Sequence, residues 1–233
     1  MVLGGFVLVP IATIIVGLLA ASILAVMGLR DHAQRRSMRR GIIDECTSLL
    51  DQGAITYGGD AFPTLAGRHS GRFVRAEFVT DTMTIRRLPQ LWLSLTRIEI
   101  RPEISEFAAL VRPTGAEFYS LTSSLVSRLD PPPGFPHDVL IKGCGDSAQK
   151  LVNRLGAVIA KILSDPKIKE IGVTRKGLRL VWQAGEGRRG DHLLLRQSVF
   201  DDARVSKSDF ARLLANLDEI SLGVTKEVEA RPL

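Results

Sequence analysis

Residues 2–29 pass without one charged side chain, and only after Leu29 do polar and apolar positions begin to alternate. A bilayer core about 30 Å thick takes roughly 20 apolar helical residues, so this run predicts a single membrane-spanning helix. The apolar part of a cleaved signal peptide is shorter, about 7 to 15 residues, and follows basic residues that this run does not have ahead of it. A lipid-modified anchor needs a cysteine directly after the run, and Cys46 comes too late. Pro10 removes one backbone donor near the start, which predicts a regular span over 11–29.

Beyond the span the period becomes that of an amphipathic helix. Met38, Ile42, Cys46, Leu49 and Leu50 share a face, with Ile43 beside them and Gly53 as the stop, so Cys46 is predicted as a core thiol. From Ala54 the pattern shortens to strands. Residues 64–68 and 72–80 flank His69-Ser70-Gly71, a hairpin signal, and Val74, Ala76 and Phe78 alternate with Arg75 and Glu77. Residues 91–101 read as a third strand, apolar on both faces at its start and alternating, half exposed, at its end. Segments 106–112 and 117–129 fit helix or strand equally. Residues 130–136 hold four prolines in seven positions, a domain boundary or a stiff loop over one core.

The pattern is cleaner afterwards. A strand at 138–142 turns at Gly143-Cys144-Gly145, and Asp146 with Gln149 predicts a capping box opening a helix. Leu151, Val152, Leu155, Val158, Ile159 and Ile162 form one stripe with Leu163, ended by Asp165-Pro166. Segments 167–175 and 178–183 pair across Lys176-Gly177; a glycine-rich loop at 185–190 and a strand at 192–200 follow. The closing helix starts near Ser206 and carries Phe210, Leu213, Leu214, Leu217 and Ile220 on one side. The order predicts an α+β protein: a transmembrane helix (1–29), a basic juxtamembrane and amphipathic helix (30–53), a β-rich half (54–129), the proline-rich break (130–136), an α+β half (137–228) and a tail (229–233). Its soluble part is an antiparallel sheet packed with amphipathic helices.

Charge adds an orientation. All 31 Lys and Arg and all 25 Asp and Glu lie beyond Leu29, a net charge of +6. Arg30, Arg35, Arg36, Arg39 and Arg40 crowd the end of the span, where they face anionic lipid headgroups and hold that end in the cytoplasm, with the N-terminus outside. Arg86-Arg87 reads as a solvated pair, with contact to lipid headgroups as the alternative. Basic and aromatic residues do not cluster, which excludes a nucleic-acid surface. Within the span Gly17, Ala21 and Ala25 recur every fourth residue, a small-residue face for helix–helix contact with a second copy or another membrane helix.

Candidate chemistry is sparse. His32, His69, His137 and His192 stand singly, without the spacings of a metal site, and Gly143-x-Gly145 lacks the third glycine of a dinucleotide fingerprint, so no metal or cofactor is expected. Two cysteines exclude a disulfide-dense fold and leave one Cys46–Cys144 bridge open. Cys144 is the one candidate reactive thiol, because the positive end of a helix dipole favours thiolate; an ordinary tight turn needs the same glycines.

The run Gly67-Arg68-His69-Ser70-Gly71-Arg72-Phe73-Val74, followed by 88–95, resembles the glycine-turn β segment of uncharacterised bacterial single-pass membrane-anchored proteins. So does Phe135-Pro136-His137-Asp138-Val139-Leu140-Ile141-Lys142-Gly143 ahead of its helix and hairpin. The resemblance implies membrane attachment and an α+β domain, and brings no activity with it. The functional expectation is a non-catalytic interaction or scaffold protein with a protein partner, its domain on the cytoplasmic side of a bacterial inner membrane. The alternatives are an enzyme or redox sensor using Cys144, and an anionic-lipid surface regulator using the five arginines.

Overall fold

The computed structural model describes residues 5–82, 88–188, 200 and 202–229, and the chain divides into two units, Met1–Met38 and Arg39–Leu233. The first unit is helical: α1 (Gly5–Arg40) runs unbroken for 36 residues. Pro10 does not delay its start, since one lost bond near a helix end is tolerated. The window Thr13–Arg30 has a mean hydropathy of 2.1 and no buried residue, so α1 is long and apolar enough to cross a membrane. Gly17, Ala21 and Ala25 are exposed on it.

In the second unit a 3-10 helix, Gly41–Leu49, buries Ile42, Ile43 and Cys46. Gly53 does not stop it. Leu50 is already extended and Gly53 lies inside β1 (Asp51–Tyr57), where a Cβ would stand 2.6 Å from the Thr47 carbonyl oxygen. The glycine serves a close approach of strand to helix.

The hairpin of β2 (Pro63–His69) and β3 (Arg72–Asp81) turns on Ser70 and Gly71 at φ 50° and 75°, the positive-φ pair of a type I′ turn. Then come β4 (Gln90–Ile98), β5 (Phe107–Val111), β6 (Ser127–Leu129), β7 (Val139–Gly143), α2 (Asp146–Leu163), β8 (Ile168–Thr174), β9 (Gly177–Glu186) and α3 (Lys207–Glu229). The strands form one sheet in the order β1-β2-β3-β4-β9-β8-β5-β7-β6, every neighbouring pair antiparallel. Because β5 lies between β8 and β7, the sheet runs through both sides of the proline-rich stretch. That stretch is a loop over one core, with Pro132 packed on Gly156 of α2. Residues 112–126 form an irregular strap with one 3-10 turn, Leu121–Ser123.

Among the described residues, α2, α3 and the 3-10 helix Gly41–Leu49 cover one face of the sheet. Leu93 and Leu95 of β4, Leu180 and Trp182 of β9, Leu155 of α2 and Leu217 of α3 belong to this core. The predicted stripe of α2 is buried except for Val158, which is half-buried, and the five apolar residues of the closing helix are all buried. The capping box is absent: the α2 N-cap is Gly145 at φ 77°, without a side chain to cap, and Gln149 bonds the backbone of Asp130 and the side chain of Asn153 instead. At α3 Ser206 does accept from the Asp209 N–H at 3.0 Å, fixing the helix start. The predicted strand at 192–200 lies outside the described residues except Phe200, which is buried; Arg86 and Arg87 also lie outside them.

Candidate functional site

Neither cysteine shares an element with the five arginines, which all lie on α1. Cys144 is exposed, and its backbone N–H donates to the Glu106 carbonyl at 3.0 Å. Cys46 is buried beneath α3's start, donating to the Val205 carbonyl at 3.4 Å, and burial pushes its thiol up to about 12. Both cysteines are free thiols. Arg30 and Arg36 are exposed, and the Arg35 side chain is outside the described residues. Arg39 stacks on Phe62 at 4.9 Å and donates to the Asp60 carbonyl, while Arg40 stacks on Tyr57 at 5.0 Å. Among the described residues no group of three or more His, Cys, Asp or Glu is placed to hold a metal.

Two buried charge networks were invisible to sequence periodicity. At the end of β4, Arg97 and Glu99 point into the helix-covered side. Arg97 Nε lies 2.5 Å from Glu99 Oε1, and its Nη1 meets Asp218 of α3, which also takes His69 Nε2 at 3.0 Å. Glu99 accepts from Ser221 Oγ and pairs with Arg101 at 2.8 Å. Burial lowers the Arg101 pKa, with Arg72 and Arg97 adding to it against the opposing pull of Glu99. The α3 partners stand 120 to 149 positions from the residues they meet, so no local pattern could announce them. The network clamps α3 to the sheet.

The second network holds the strap. Lys169 Nζ meets Glu117 Oε1 at 2.8 Å and two carbonyls, Val111 and Arg112. Burial works against the Glu117 charge, yet hydrogen bonds from Lys169 and Thr114 bring its pKa down to about 2. Glu170, fully buried in β8, accepts from Ser120 Oγ and the Leu121 N–H; burial nonetheless raises its pKa. Tyr119 packs on Trp92 with ring centroids 6.0 Å apart. The strap thereby covers part of the face opposite α2 and α3.

Two concavities open on that face. One, about 310 Å³, is polar and lined by Asp81, Gln90, Trp92, Arg112, Glu117 and Lys169 among others. Its cations are committed: Lys169 as above, and Arg112 to the Pro166 and Ile168 carbonyls, both at 2.8 Å. The other, about 490 Å³, is apolar. Thr96 and Ile98 of β4 form one wall, Leu121 of the strap and Thr174 of β8 the other, with Arg179 of β9 between them. Ile98 is 45% exposed and Ile100 77% exposed at its mouth. Alternation at the end of a strand ordinarily turns isoleucines inward and charges outward. Here Arg97 and Glu99 are buried and the isoleucines face out.

Fold and groove together define an α+β domain with an exposed apolar groove, on a chain whose N-terminal helix is long and apolar enough to cross a membrane. The chain matches no family model and no curated protein.

Proposed function

We propose that this chain is a membrane-tethered, non-catalytic interaction protein, with α1 as a single-pass anchor in a bacterial inner membrane and the α+β domain in the cytoplasm. The observation that carries the reading is the outward-facing pair Ile98 and Ile100 beside an open apolar groove lined from β4, β9 and β8. Exposed contiguous apolar surface in a soluble domain marks an interaction site. The arginines that follow the span support the orientation. The two described charge networks are internally paired, which suits a rigid presenting scaffold better than catalysis.

Native electrophoresis of detergent-extracted membranes tests the reading. The full chain should run in an assembly heavier than itself, and the Ile98→Glu, Ile100→Glu double variant should release it while keeping its melting temperature. Identical migration of both as a lone chain would overturn the proposal.

A further inference from the structure

The groove's chemistry narrows the partner, on the footing of the interaction reading above. Its floor is β9 and its walls rise from β4 and β8, so it is two strand spacings wide, about 9.5 Å. A helix with its side chains is about 10 to 12 Å across and does not sink into such a trough; an extended segment does. Of the residues lining it only Lys176 and Arg179 are charged, and neither is a carboxylate. Arg179 is already spent, donating to Ser94 Oγ at 3.1 Å and to the Tyr119 carbonyl at 2.8 Å, with Glu170 at 3.9 Å. Lys176, exposed on the two-residue turn between β8 and β9, has no hydrogen bond or ion pair from its ammonium among the described residues.

We infer that the groove receives an extended apolar segment of a partner protein that carries an Asp or Glu, its aliphatic side chains between Ile98 and Leu121 and its carboxylate at Lys176. A second copy of this chain fits poorly. A two-fold contact is self-complementary, and this patch offers cations and no anion to its own image. A lipid surface fits poorly too, because a trough two strand spacings wide does not meet a flat bilayer along its floor.

The test is photo-cross-linking from p-benzoylphenylalanine in place of Ile98 or Ile100, in the full chain within its native membranes, with the adducts sequenced by mass spectrometry. The expected result is one protein adduct whose cross-linked peptide is apolar and carries Asp or Glu. Lys176→Glu should reduce it about fivefold, by losing the ion pair and setting a like charge in its place, and Lys150→Glu on α2 should not. Should Lys176→Glu lower the melting temperature, Lys176→Gln takes its place. A protein adduct with an uncharged or basic peptide, or one indifferent to Lys176, overturns the inference and leaves the interaction reading standing. An adduct with a second copy does the same. A lipid adduct, or none from either position, overturns both.

Discussion

Lys169 Nζ lies 2.8 Å from Glu117 Oε1, and its remaining donors reach the carbonyls of Val111 at 3.0 Å and Arg112 at 2.7 Å. Glu117 in turn receives the N–H groups of Thr114 and Gly115, so one ion pair ties the start of the strap to β8. Leu121, further along the strap, is thereby held over Gly172, where it walls the groove.

A pH dependence follows from that pair. The Glu117 pKa falls from 4.5 to about 2 on folding, so the folded state holds its proton less tightly than the unfolded chain. Its stabilising contribution is complete above about 4.5 and is lost as pH falls through about 2. Urea unfolding of the full chain across that window should show a declining midpoint, and Glu117→Gln should flatten the decline. An unchanged slope in the variant would mean the carboxylate is solvated in the folded state. Lys169→Met, which leaves the Glu117 charge buried without its cation, should cost about 3 to 5 kcal/mol.

A second expectation concerns Gly177. At φ 153°, a Cβ there would run into the Arg97 carbonyl oxygen and stand 3.0 Å from the Glu99 N. Both are backbone atoms of the strand end that presents the groove, and they cannot swing aside as a side-chain tip would. Gly177→Ala should therefore destabilise the domain by about 2 to 4 kcal/mol. Thermal melts that differ by less than a degree would show that the hairpin can yield.

What the sequence revealed and what it hid divide along a physical line. The β2–β3 turn was readable because Ser70-Gly71 is local turn chemistry, and α2 and α3 because each carries an apolar stripe at helical spacing. Lys176-Gly177 announced a hairpin, although Gly177 is demanded chiefly by the nearby Arg97 carbonyl. The groove was not readable. Periodicity at residues 97–101 shows two faces and cannot say which is inside; that choice rests on Asp218 and Ser221, which supply partners for Arg97 and Glu99 from a distant helix. Residues 106–112 looked ambiguous for a related reason. β5 is buried on both faces between β7 and β8, so its apolar run has no period to betray it.

The thiols offer a third check. Cys144 is exposed, whereas Cys46 is fully buried with its pKa pushed up to about 12. Ellman's reagent at neutral pH should titrate one thiol in the native protein and two after denaturation. Cys144→Ser should leave stability within about 0.5 kcal/mol, as expected of an exposed site. Loss of partner assembly in Cys144→Ser, with melting unchanged, would return the thiol to the functional list.

On the proposed reading of α1 as an anchor, its orientation decides which compartment offers the partner. Positive charge within about 15 to 20 residues of a span is held on the cytoplasmic side. Arg30, Arg35, Arg36, Arg39 and Arg40 all fall within that distance of Leu29. Arg39 and Arg40 stack on Phe62 and Tyr57 in the folded domain, whereas Arg30 and Arg36 are exposed on α1. Replacing Arg30, Arg35 and Arg36 with neutral residues should therefore weaken topology without unfolding the domain. Fusions of green fluorescent protein and of alkaline phosphatase after Leu233 read the outcome. A fluorescent, phosphatase-negative chain places the domain in the cytoplasm, with the three-arginine variant shifting part of the population outward. A dark, phosphatase-positive chain would put the groove outside and send the search for its acidic partner to the periplasm.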